Sequence, residues 1–147
     1  MDADEHRTLG ATTYNRCWEL LESAERSPAD DRELLTCAFT SRYHWGVVGR
    51  HEQIVSGDWM ISRAAAAVGE GALSVNYGLV ANEGARDNST PDWLKASTAE
   101  GLARAYAAVG MDSERDHWID VAARLVERIS DAEDREIIAT QLTSVPR

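Results

Sequence analysis

The chain has 147 residues, enough for one domain with a single sizeable core. Its 44% hydrophobic and 27% charged residues are ordinary for a soluble globular protein. A net charge of −10 argues against nucleic acid and anionic membrane, which reward basic patches, and tolerates neutral or cationic ligands.

The opening segment, "MDADEHRTLG", is acidic and polar, unlike a signal peptide, and no apolar run approaches the ~20 residues of a membrane span. A cytoplasmic protein is expected. Tyr14, Cys17, Trp18 and Leu21 fall at i, i+3, i+4 and i+7, which predicts a first helix over 8–25. Ser27-Pro28-Ala29-Asp30 reads as an N-cap, a first-turn proline and a first-turn acid, opening a second helix over 28–45. Further helices are predicted over 50–68, 71–86, 92–109, 113–129 and 132–143. Thr90-Pro91-Asp92 repeats the Ser-Pro start, and Ser130 with Glu133 has the spacing of a capping box. Gly69 and Gly110 follow alanine-rich runs, where helix C-caps belong. Ile137, Ile138 and Leu142 are expected to face inward from the last helix. Cys17 and Cys37 lie in apolar helical patterns without CxxC spacing, as two buried reduced thiols would.

The chain echoes itself. "SRAAAAVG" (62–69) and "ARAYAAVG" (103–110) align, and eight residues past each glycine stands an aromatic, Tyr77 or Trp118. Small residues before the turn let a second helix approach closely, and the aromatic fills the space between the pair. The segment 101–129 resembles a tetratricopeptide-type unit: small–x–x–aromatic, a glycine turn, then an apolar second helix. The chain also resembles a group of small helical proteins of GC-rich bacteria, through "WELLE" (Trp18–Glu22), "SRYHWG" (Ser41–Gly46) and "GDWMISR" (Gly57–Arg63). Caps, periodicity and short connections predict an all-α, single-domain fold of about seven helices in antiparallel hairpins, and the resemblances support it as a short tetratricopeptide-like α-solenoid. Neither implies an activity.

The densest run of functional side chains is "SRYHWGVVGRH" (41–51). Cys37, His44 and His51 are spaced by seven, but Gly46 and Gly49 should break the helix between the histidines, so no metal is expected. An antiparallel second and third helix would set Asp58 or Glu52 against His44 or Arg42, walled by Trp45 and Trp59. That makes either an acid/base pocket or a structural hydrogen-bond network between two helices, and the network is the simpler reading. A second candidate is a groove lined by Trp59, Arg63, Arg104 and Tyr106. Arg63 and Arg104 hold equivalent places in the two echoes and should project to one side, where they would grip a carboxylate with paired donors or pair with nearby acids. Glu114-x-x-His117 occurs once, without the second copy a di-iron site needs, and neither a phosphate loop nor G-x-S-x-G nor HExxH is present. The expectation is a non-catalytic protein without a cofactor, holding a peptide or protein partner in a repeat groove. The alternative is a small-molecule-binding protein or enzyme centred on Arg42, His44, Trp45 and Asp58. A homodimer built on exposed end faces is a third reading.

Overall fold

Side-chain N-caps start three of the seven helices. In a computed structural model, which describes residues 1–147, the side chain of Asp2 accepts the N–H of Glu5 while Glu5 reaches back, so α1 (Ala3–Glu22) begins earlier than the expected residue 8. Ser27 and Asp30 form the same reciprocal pair at the start of α2 (Pro28–Val48), which runs through Gly46 and stops at Gly49. Next come α3 (His51–Ala67), α4 (Gly71–Gly84), α5 (Asp92–Ala108), α6 (Asp112–Val126) and α7 (Ala132–Thr143). Two expected caps lie one residue later than predicted. Pro91, not Thr90, is the N-cap of α5, and Asp131, not Ser130, caps α7 by accepting the N–H of Asp134 at 2.9 Å. The chain is all-α, with seven helices and no strand.

The echo in sequence is an echo in backbone. Val68 and Val109 close their helices at φ −99°, ψ 7° and φ −104°, ψ 6°. Gly69 and Gly110 follow at φ +84° and +73°, a left-handed conformation that a Cβ disfavours. Glu70 and Met111 then donate to carbonyls five residues back, on Ala65 and Tyr106, at 2.9 and 3.0 Å. Residues 62–71 and 103–112 are therefore two elbows of the same shape.

Contacts between named residues set the layers. Arg16 meets Glu33 and Ser41 meets the carbonyl of Gly10, so α1 and α2 are antiparallel. Arg42 meets Asp58 across α2 and α3, and Ser62 exchanges two 2.8 Å bonds with Ser74 across α3 and α4. Odd-numbered helices run parallel to one another: Trp18 of α1 stacks near Trp59 of α3, Arg63 of α3 reaches Glu100 of α5, and Arg104 of α5 reaches Gln141 of α7. The result is an array of hairpins with α1, α3, α5 and α7 in one layer and α2, α4 and α6 in the other. Helices α3 and α5 are its spine. Every residue from Val55 to Ser62 and from Ala96 to Ala103 is buried, so both helices are covered on all sides. That explains their load of Gly, Ala and Ser: Gly101 lies so close to the Trp59 indole that a Cβ there would sit 2.7 Å from the ring. The main cluster joins Cys17, Leu20, Leu34, Ala38, Trp59, Met60, Ile61, Ala64 and Ala81. Cys17 is in it, whereas Cys37 is only half-buried. On α7, Ile138 is buried and Leu142 half-buried, but Ile137 is exposed, because the last helix is covered from one side only.

Candidate functional site

Arg63 and Arg104 do project to one side, and they meet there. Glu100, fully buried on α5, accepts from Arg104 Nε at 3.0 Å and Nη2 at 2.6 Å, and from Arg63 Nη1 at 3.4 Å. The i,i+4 spacing on α5 lays Arg104 over Glu100, and the parallel packing of α3 brings Arg63 from the side. Arg104 Nη2 also donates to the Gln141 carbonyl and the Ser144 hydroxyl, which ties α7 to the spine. The guanidinium of Arg63 stands 5.4 Å from the centroid of the Trp18 ring. Burial pulls the Arg63 pKa down, Glu100 opposes that shift, and the Arg104 charge adds to it. One carboxylate faces two guanidiniums, so at least one positive charge has no counterion. Arg63 Nε and Nη2 and Arg104 Nη1 remain free to donate, since no bond within the chain uses them.

These arginines wall a hollow of about 330 Å³ on the odd-helix layer. Three pairs of repeat-equivalent residues build it: Arg63 with Arg104, Ala66 with Ala107, and Ala67 with Ala108. Arg26 from the α1–α2 loop completes the rim, held by Asp31 at 2.9 Å and by the carbonyl of Ala67 at 3.2 Å. A second, smaller hollow of about 150 Å³ opens between α1, α3, α5 and α7, and Tyr14, Trp18, Trp59 and Trp93 line it. Burial pushes the Tyr14 hydroxyl up to about 12. The Trp59 Nε1 is buried without an acceptor. Trp18 touches Arg63 and lines the smaller hollow, so one contact links the two.

No family model, curated protein or solved structure matches this chain.

The stretch from Ser41 to His51 is built differently. Arg42 Nε donates to Asp58 Oδ1 at 2.7 Å, and the Arg42 stem packs on Gly57, so this pair clasps α2 to α3. Burial raises the Asp58 pKa, while the hydrogen bond and charge of Arg42 oppose the rise. Trp45 is buried against Gly10 and Tyr14 of α1. His44 meets neither Asp58 nor Glu52. Its Nδ1 lies 2.8 Å from the Nδ1 of His6 on α1, with one ring donating and the other accepting. His51, at the start of α3, hydrogen-bonds the Gly84 carbonyl, so the seven-residue spacing of Cys37, His44 and His51 does not gather them. None of the five principal hollows is lined by Arg42, His44, Trp45 or Asp58.

Of the groove residues expected from the sequence, Arg63 and Arg104 line the larger hollow, whereas Trp59 is buried and lines only the smaller one. Tyr106, two residues beyond Arg104, is turned about 200° around α5 and lines none of those hollows. Sequence reasoning missed Glu100, Trp18, Tyr14 and Arg26. A signal existed for Glu100: it stands 41 residues after Trp59, at the equivalent place in the echo, where a buried side chain belongs.

Proposed function

We propose that the chain is a non-catalytic binding protein, a short tetratricopeptide-type hairpin array whose odd-helix face receives a carboxylate-bearing peptide segment of a partner. The observation that carries this reading is the convergence of Arg63 and Arg104 on the single carboxylate of Glu100, at the wall of a hollow of about 330 Å³. Surplus positive charge in a largely buried setting is unfavourable by itself. A carboxylate from outside, accepting from the spare guanidinium donors, offsets that cost. Arginine suits the task because its planar fork matches a carboxylate with two parallel bonds. The alanine walls leave room for a backbone to approach. Arg42 and Asp58 are read as a clasp between helices rather than as acid/base machinery.

The test is an array of peptides presented both as free C-terminal carboxylates and as amides, with acidic side chains varied. Binding is expected to follow the carboxylate, weakening about tenfold or more on its removal, because a charge-assisted bidentate pair is lost. Arg104→Lys, which keeps the charge but not the fork, is expected to weaken the same peptides. Peptides bound equally well as amides, or an array with no binder, would refute the proposal.

A further inference from the structure

The smaller hollow has different chemistry from the arginine-walled one. At about 150 Å³ it holds one small group and no peptide. Four aromatic rings line it, from α1, α3 and α5, and α7 contributes the one charged group, Asp134. The Asp134 backbone N–H is used by the cap of α7, but its carboxylate forms neither an ion pair nor a hydrogen bond within the chain. An exposed, unpaired carboxylate beside aromatic rings is a setting for positive charge, since ring faces carry negative potential. The chain already uses this property once: the Arg63 guanidinium lies over the Trp18 ring.

The kind of cation follows from the lining. A primary ammonium carries three N–H donors, and apart from the Tyr14 hydroxyl the acceptors on this wall, Ser97, Gln141 and Asp134, come from α5 and α7 alone, so donors turned toward the α1 and α3 rings go unmatched, which is costly. An alkylated ammonium has a shell of C–H groups, needs no acceptor, and is attracted by ring faces and one nearby carboxylate. We propose that the aromatic hollow between α1, α3, α5 and α7 binds the alkylated ammonium head of a small free organic cation, with Asp134 as its counter-charge. This site is separate from the carboxylate-binding hollow and does not rest on that reading.

Choline is the probe, with 3,3-dimethylbutan-1-ol as its neutral carbon isostere, each titrated into the full chain and followed by tryptophan emission and calorimetry. Saturable choline binding is expected, with the isostere weaker by about tenfold. Asp134→Asn keeps the exposed helix start and the shape of the hollow, and is expected to weaken choline severalfold while leaving the isostere unchanged. Trp93→Leu, checked for native circular dichroism, is expected to abolish the choline response. The proposal is overturned if choline and its isostere bind alike, if choline fails to saturate below about 50 mM, or if Asp134→Asn leaves choline affinity unchanged. Peptide binding measured on the same samples separates the two sites: carboxylate capture without choline binding overturns this inference alone.

Discussion

Arg63 and Arg104 stand 41 residues apart in the chain and reach the same oxygen of Glu100, one from a neighbouring helix and one from the next turn of its own. Both side chains are about 15% exposed and Glu100 is not exposed at all, so the cluster is a buried network rather than a surface pair. Removing its one carboxylate leaves two guanidiniums facing each other. Glu100→Gln, nearly the same shape, is therefore expected to lower unfolding free energy by about 3–5 kcal/mol in urea. A loss below about 1 kcal/mol would mean that the arginines swing into water and need no partner.

The two elbows make a matched prediction. Nothing lies within 4 Å of a Cβ built at Gly69 or Gly110, so substitution there meets no steric contact, only the backbone angle. Gly69→Ala and Gly110→Ala should each cost about 1–2 kcal/mol, the same within error, and Asn at either place should cost less. Thermal or urea unfolding of the four variants checks this. A large difference between the alanine variants would show that the elbows are not equivalent.

Gly101→Ala sets two effects against each other. Alanine in a helix interior gains about 1 kcal/mol over glycine. Against this, the new Cβ would sit 2.7 Å from Cδ1 and 2.8 Å from Nε1 of Trp59, a rigid ring that is itself buried. Overpacking of that kind costs about 1–3 kcal/mol and forces the indole to move. Net destabilisation with a changed tryptophan emission is expected, and Trp59→Phe in the same chain should recover part of the loss. A stabilised Gly101→Ala would show that α3 and α5 separate easily, which their full burial argues against.

The elbows were legible in the sequence because glycine, alanine and the following aromatic act within one hairpin. Their spacing is local, and so is the physics that uses it. Arg63 and Arg104 were legible as a pair for the same reason. What they grip was not. Glu100 stands i,i+4 to Arg104 in "TAEGLAR" and holds the place of Trp59 in the echo, but its burial comes from α3 and α7 packing onto α5, which local spacing does not show. His44 shows the same limit. An acid on the next helix was the nearest candidate along the chain, yet its partner is His6, 38 residues earlier. Ile137 fits the inward period, but periodicity does not tell which helix ends an array and loses one neighbour.

The two cysteines differ in a way that fixes a pH response. Cys17 is fully buried and its thiol donates to the Leu34 carbonyl at 3.8 Å, and burial, with a smaller push from Cys37, holds its pKa at about 12. Burial likewise raises Tyr14 to about 12. Both groups are neutral below their unfolded values of about 9 and 10, where the stability they support is fully present. As pH rises from there through about 12, the unfolded chain gives up these protons first, so stability falls by up to about 1.4 kcal/mol per pH unit for each group. Urea midpoints should therefore drop steadily above about pH 9. Cys17→Ala should be less stable at neutral pH but fall less steeply in alkali. In the same range a thiol reagent should label Cys37, which is half-buried, while Cys17 reacts only when the chain is unfolded. Equal labelling of both thiols in the native protein would mean that α1 detaches from the core readily, contrary to the packing of Cys17 against Leu34, Ala38 and Met60.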